Sequence, residues 1–205
     1  LTAGSAGNAN ALISNSTLTT SNTNSDGIKL KLENGTGNIQ LAATQVQTNQ
    51  AGSSGLNSII SANGTATLTV DQISTVQGGL GSGAGVMLQN NGANVTQTLD
   101  NAGRISALSD RIIGGNAGGV GSSVTVNNLS TGVMTGFFDL VGTNATLNAS
   151  KDSLIDLQDF GTTGAKGDVN SQLGTNGEFN FNGVMKFSDK NLDGTVSTAR
   201  FDGVQ

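Results

Sequence analysis

The sequence predicts an all-β protein wound as a parallel solenoid, and three observations carry that prediction. Pro, Cys, His, Trp and Tyr are all absent from the 205 residues, while Gly contributes 31. The apolar residues arrive in short alternating groups. One such unit recurs about every thirty residues, within the range that marks stacked repeats. With aromatic residues at 3%, a core must be built from Leu, Ile, Val and Ala. A hydrophobic share of 35% would suit a disordered chain, but such chains are rich in Pro and charge. Here Pro is absent and only 11% of residues are charged, so order is the better expectation.

The repeat is read from three stretches: Gly27 to Asn34-Gly35, Gly55 to Asn63-Gly64, and Gly85 to Asn91-Gly92. Each opens on Gly, runs as a strand and turns at Asn-Gly. A second strand follows, with Ile39 and Leu41 in the first unit, Ala66, Leu68 and Val70 in the second, and Val95 and Leu99 in the third. Within Ile28-Lys29-Leu30-Lys31-Leu32 the side-chain period of two puts three apolar residues on one face and two lysines on the other. Ala66-Thr67-Leu68-Thr69-Val70 does the same with threonines, and Val124-Thr125-Val126 and Leu154-Ile155-Asp156-Leu157 extend the habit. Ile28, Leu30, Leu32, Leu68 and Val70 are expected to point inward.

Helical spacing nowhere exceeds about two turns, and residues 102–113 are its best candidate. Two Gly-rich stretches, 78–85 and 114–121, are expected to loop out from the coil. Asn-Gly suits a hairpin as well as a solenoid corner, so turn chemistry leaves a sandwich open. The repeat favours the solenoid, which reuses one unit and needs few aromatics. Residues 1–165 are assigned to the repeats. Residues 166–205 change character, gaining Phe179, Phe181, Phe187 and Phe201, and are read as a continuation, flap, cap or hairpin.

A net charge of −5 with no cluster of Lys and Arg argues against nucleic acid. Without His, Cys or Tyr, any proton transfer would rest on Asp, Glu, Lys or Arg alone, which argues against an enzyme. The lack of Cys is compatible with export from a reducing cytosol. The chain begins at Leu1, carries no basic and apolar leader and contains no run long enough to span a bilayer, so it is read as a piece of something longer that does not itself insert into a membrane.

Two acidic groups are candidates for chemistry. Asp189, Asn191, Asp193 and Ser197 occupy positions one, three, five and nine of a calcium loop, with Gly194 at the sixth. Arg200 stands at the twelfth, where such loops need a carboxylate, so an Asp-rich turn is the first reading and calcium the second. No other cofactor is expected. Asp152, Asp156 and Asp159 form the densest acidic group, as in carbohydrate-cleaving solenoids, but strand alternation turns Asp156 outward and no Trp or Tyr is present to seat a sugar. The Gly-rich stretches lack the Gly-Lys-Ser/Thr ending of a phosphate loop.

Asn34-Gly35-Thr36, Asn63-Gly64-Thr65, Thr146-Leu147-Asn148-Ala149 and the stretch from Ser153 to Phe160-Gly161 resemble passenger domains of Gram-negative autotransporter adhesins. The resemblance covers most of the chain through degenerate repeats. It implies a right-handed parallel β-helix, secreted or held at the bacterial cell surface by an outer-membrane barrel that this chain does not contain. It also implies a non-catalytic adhesin or stalk, with partners among host or bacterial surface glycans or proteins, or copies of itself. The alternative is a self-assembling subunit of a surface fibre or S-layer.

Overall fold

The computed structural model describes residues 1–4, 7–142, 144–158, 168–187 and 198–204. Among them every regular element is a strand. The first coil holds β1 (Thr2–Ala3), β2 (Gly7–Ser14) and β3 (Thr17–Thr20), the second β4 (Ile28–Leu32), β5 (Gly35–Ala42) and β6 (Gln45–Thr48). The third holds β7 (Leu56–Ile60), β8 (Gly64–Val70) and β9 (Thr75–Gly78). β10 (Val86–Asn90), β11 (Val95–Asn101), β12 (Arg104–Asn116), β13 (Ser123–Asn128), β14 (Val133–Val141), β15 (Ala145–Ala149) and β16 (Leu154–Leu157) continue the winding, followed by β17 (Asp168–Phe181), β18 (Val184–Phe187) and β19 (Thr198–Val204).

Each strand pairs with its counterpart one coil away, always in parallel. β4, β7, β10 and the end of β12 form one column. β2, β5, β8, β11, β13 and β15 form a second. The third runs through β3, β6, β9, the start of β12, the start of β14, β16 and β18. β17 joins the stack in parallel with β14 and β15, and β19 pairs with β17. Parallel partners need a connection of a dozen or more residues, and here the rest of the coil supplies it. The protein is therefore a parallel β-solenoid of about six turns, and the sandwich reading is excluded.

Side-chain hydrogen bonds between neighbouring coils join residues 28, 30 and 31 apart, which is the repeat seen in the sequence. One later coil is shorter: Asn127 and Asn148 meet at a separation of 21. The core is a set of inward columns. Ile39, Leu68, Leu99, Val126 and Leu147 lie in register, none more than 1% exposed. Burying each such side chain is worth about 1.5–3 kcal/mol. Leu30, Leu32 and Val70 are buried as expected, and Ile28 packs against the core from its edge.

A neighbouring column changes chemistry partway. Leu41 and Val70 are succeeded by Asn101 and Asn128, then by Ala149. Both amides are fully buried. Asn101 Nδ2 donates to Asn128 Oδ1 at 2.9 Å, and Asn128 Nδ2 donates to the carbonyls of Gly132 and Leu154 at 3.2 and 3.0 Å. A buried amide is tolerated when its donors and acceptors are met, and stacking one Asn on the next meets them.

The opening glycines of the three units stack as well. The N–H of Ile28 donates to Gly55 O and that of Leu56 to Gly85 O. This column exists because the backbone passes too close to the third column of strands for any side chain. A Cβ on Gly27 would fall 2.4 Å from Val46 Cγ1, and one on Gly85 2.6 Å from Ile105 Cγ2.

Two expectations need correction. Residues 102–113 form no helix; from Arg104 onward they belong to β12, laddered to β9, β10 and β14, because pairing on both sides outweighs a short local periodicity. The Gly-rich stretches do not loop out. Gly78, Gly79, Gly83 and Gly85 are buried, and Gly79 N donates to Ser53 O at 2.8 Å, so only Leu80, Gly81 and Ser82 are exposed. Residues 114–116 lie within β12, leaving 119–121 as the exposed part of the second stretch. At the Asn-Gly turns of the three repeat units, Asn34, Asn63 and Asn91 do not take the left-handed conformation. That conformation falls to Gly35 and, at other corners, to Asn15, Asn24, Asn94 and Asn144.

Ala43 also takes a left-handed backbone, with φ of 50°, at the corner stacked against Asn15. An L-residue with a Cβ is strained there by about 1–2 kcal/mol. Ala43→Gly is expected to raise stability by about 0.5 kcal/mol or more, after the greater freedom of Gly in the unfolded chain is set against the relief. Chemical denaturation of the two proteins measures it; a loss of stability would show that the corner gains more from the methyl group than the strain costs.

Candidate interaction face

The outward side of the second column is the most regular surface among the described residues. In β8, Thr65, Thr67 and Thr69 alternate with Ala66, Leu68 and Val70, whose burial fixes which way the threonines face. Register then carries the chemistry from coil to coil: Thr67 lies beside Thr98, Thr98 beside Thr125, and Thr125 beside Thr146. Each is half-exposed. Among the described residues none of the four makes a side-chain hydrogen bond.

The adjacent outward line behaves differently. Asn127 Nδ2 donates to Asp100 Oδ1 at 2.7 Å, Asn148 Nδ2 to Asn127 Oδ1 at 2.8 Å, and Asn180 Nδ2 to Asn148 Oδ1 at 3.0 Å. One line thus uses its hydrogen-bonding groups on itself, stiffening the face, while the threonine line keeps its hydroxyls free. Across β5, β8, β11, β13 and β15 the sole charged residue is Asp100, and on β17 the residue in register with Thr146 is the exposed Glu178. The basic pair Lys29 and Lys31 sits on β4 in a different column, and Lys29 Nζ lies 3.4 Å from the carboxylate of Asp26.

Asp26 and Asp71 hold corners together. Asp26 accepts from the Ser54 N–H at 3.0 Å and from Asn57 Nδ2 at 2.7 Å. Asp71 accepts from the Ser74 hydroxyl and N–H and from the Ala43 N–H one coil away. Partial burial works against ionisation of Asp71, but hydrogen bonds from the Ser74 side chain and from the backbone of Ala43, Ser74 and Ile73 outweigh it and hold its carboxyl below the ordinary value. An open cleft beside this corner is lined by Asn15, Ser16, Ala43, Thr44, Ile73 and Thr75 among others, and none of its lining residues is ionisable.

The calcium candidates Asp189, Asn191, Asp193 and Ser197 lie outside the described residues, as does Asp159. Asp152 stands at an exposed corner, and Asp156 lies on β16 between buried Ile155 and Leu157, facing outward as the alternation requires. Among the described residues no three of Asp, Glu, His and Cys are grouped to hold a metal ion, and no helix is long and apolar enough to cross a membrane. Both amide ladders escaped the sequence reading. Members of the outward ladder are 27, 21 and 32 residues apart, so a fixed repeat does not align them.

No protein family, no curated protein and no solved structure matches this chain. The fold and the regular polar face therefore define it as a parallel β-solenoid with a threonine-lined side that carries few charges, all of them acidic.

Proposed function

We propose that this chain is an extracellular, surface-displayed adhesin or stalk that works by binding and not by turnover. The observation that carries the reading is the side of the solenoid formed by β5, β8, β11, β13 and β15, where rigid strands present hydroxyls and amides at regular intervals with a single charged residue. Such a surface offers many weak contacts, and their effects multiply when copies are displayed together. The resemblance to autotransporter passengers supports placement at the bacterial surface. The inventory of the chain supports binding over catalysis, since it contains no His, Cys or Tyr to move protons.

Beads coated with many copies are expected to adhere to one another or to host cells, while the isolated chain binds weakly. The same preparation separates the self-assembling alternative: a stalk keeps its size in solution as concentration rises, whereas a fibre subunit lengthens. Polysaccharide cleavage by the pure protein, lost on changing Asp152, Asp156 or Asp159 to Asn, would replace the adhesive reading with an enzymatic one.

A further inference from the structure

We propose that the threonine line Thr67, Thr98, Thr125 and Thr146 is the contact line for an extended, uncharged polysaccharide lying along the solenoid axis. This rests on the adhesive reading and names the ligand class and the contact residues. Register fixes the line, so its hydroxyls repeat at the spacing of paired strands, about 4.8 Å. A partner able to use such a row must itself repeat hydrogen-bonding groups at a comparable interval, as the sugar rings of an extended glycan do. The hydroxyls are free to take it up, because the four side chains bond to nothing among the described residues, whereas the neighbouring amides are tied to each other.

Charge narrows the class. The five strands carry no Lys or Arg to neutralise an anionic sugar, and Asp100, together with Glu178 next in register after Thr146, would repel one. A protein partner fits less well, since energetic anchors at protein interfaces are chiefly Trp, Tyr and Arg, and these strands contain none. Without aromatic platforms each contact is weak, so retention depends on many copies acting together.

Beads carrying the full chain at high density are passed over columns of cellulose, chitin, β-1,3-glucan and alginate. Retention is expected on a neutral column and not on alginate. The triple variant Thr67→Val, Thr98→Val, Thr125→Val keeps the shape and strand preference of each side chain and removes its hydroxyl. It should be retained about tenfold less, the sum of three modest hydrogen bonds. Thr75→Val, on the third column of strands, should leave retention unchanged, and melting curves of all variants check that each folds. The single variant Thr98→Val gives a smaller loss by the same route. Equal retention of the triple variant, retention on alginate alone, or no retention on any neutral column overturns the proposal. In each of those cases, beads that still clump or hold host cells leave adhesion standing and remove only this contact; beads that do neither remove both.

Discussion

Leu68→Asp is expected to cost about 4 kcal/mol or more, enough to unfold much of the chain, while Thr67→Asp on the adjacent residue should cost about 0.5 kcal/mol or less. Leu68 is 1% exposed and lies in register between Ile39 and Leu99, so a carboxylate there would replace three coils' worth of apolar contact with an unpaired charge. Thr67 is one residue away but turned outward and half-exposed. Denaturant titration of both variants measures the difference. Equal losses would contradict the alternation that assigns the two residues to opposite sides of β8.

The second large effect concerns a residue with no side chain. Gly55→Ala should cost about 2–3 kcal/mol, because the added Cβ would fall 2.5 Å from Val76 Cγ1, 2.8 Å from Gly85 O and 3.2 Å from Gln77 O. Two of those atoms belong to the backbone and the third to a stiff β-branched side chain, so none can easily move aside. Gly119→Ala is the matched control, since a Cβ there meets nothing within 4 Å, and its stability should hardly change. Thermal melting of the pair separates close packing from flexibility. If glycine served only to loosen the corners, the two substitutions would behave alike.

These two expectations differ in how far the sequence alone could reach them. The inward assignment of Leu68 follows from a period of two, because a strand has just two sides and the apolar residues must share one. The recurrence of Gly27, Gly55 and Gly85 was also visible as a repeat. Its cause was not, since the close approach of Val46, Val76 and Ile105 comes from a different part of the coil. The same limit explains the Gly-rich stretches. Their composition suggested loops, but their glycines are there to let one corner lie against the next, as where Gly79 bonds to Ser53.

The order of apolar and polar residues by itself determined that this chain is all-β, that its strands repeat, and which side chains of Ile28–Leu32 and Gly64–Val70 turn inward. Those are local consequences of alternation and of a unit used repeatedly. Only the tertiary structure decided the register between coils, and register is what assembles the functional surface. Thr67, Thr98, Thr125 and Thr146 form one line, and Asp100, Asn127, Asn148 and Asn180 another, although the intervening coils differ in length. The physical reason is that pairing is settled by backbone hydrogen bonds and core columns acting across whole coils, while corners of variable length absorb the difference. A sequence read one repeat at a time contains the rungs but not their alignment.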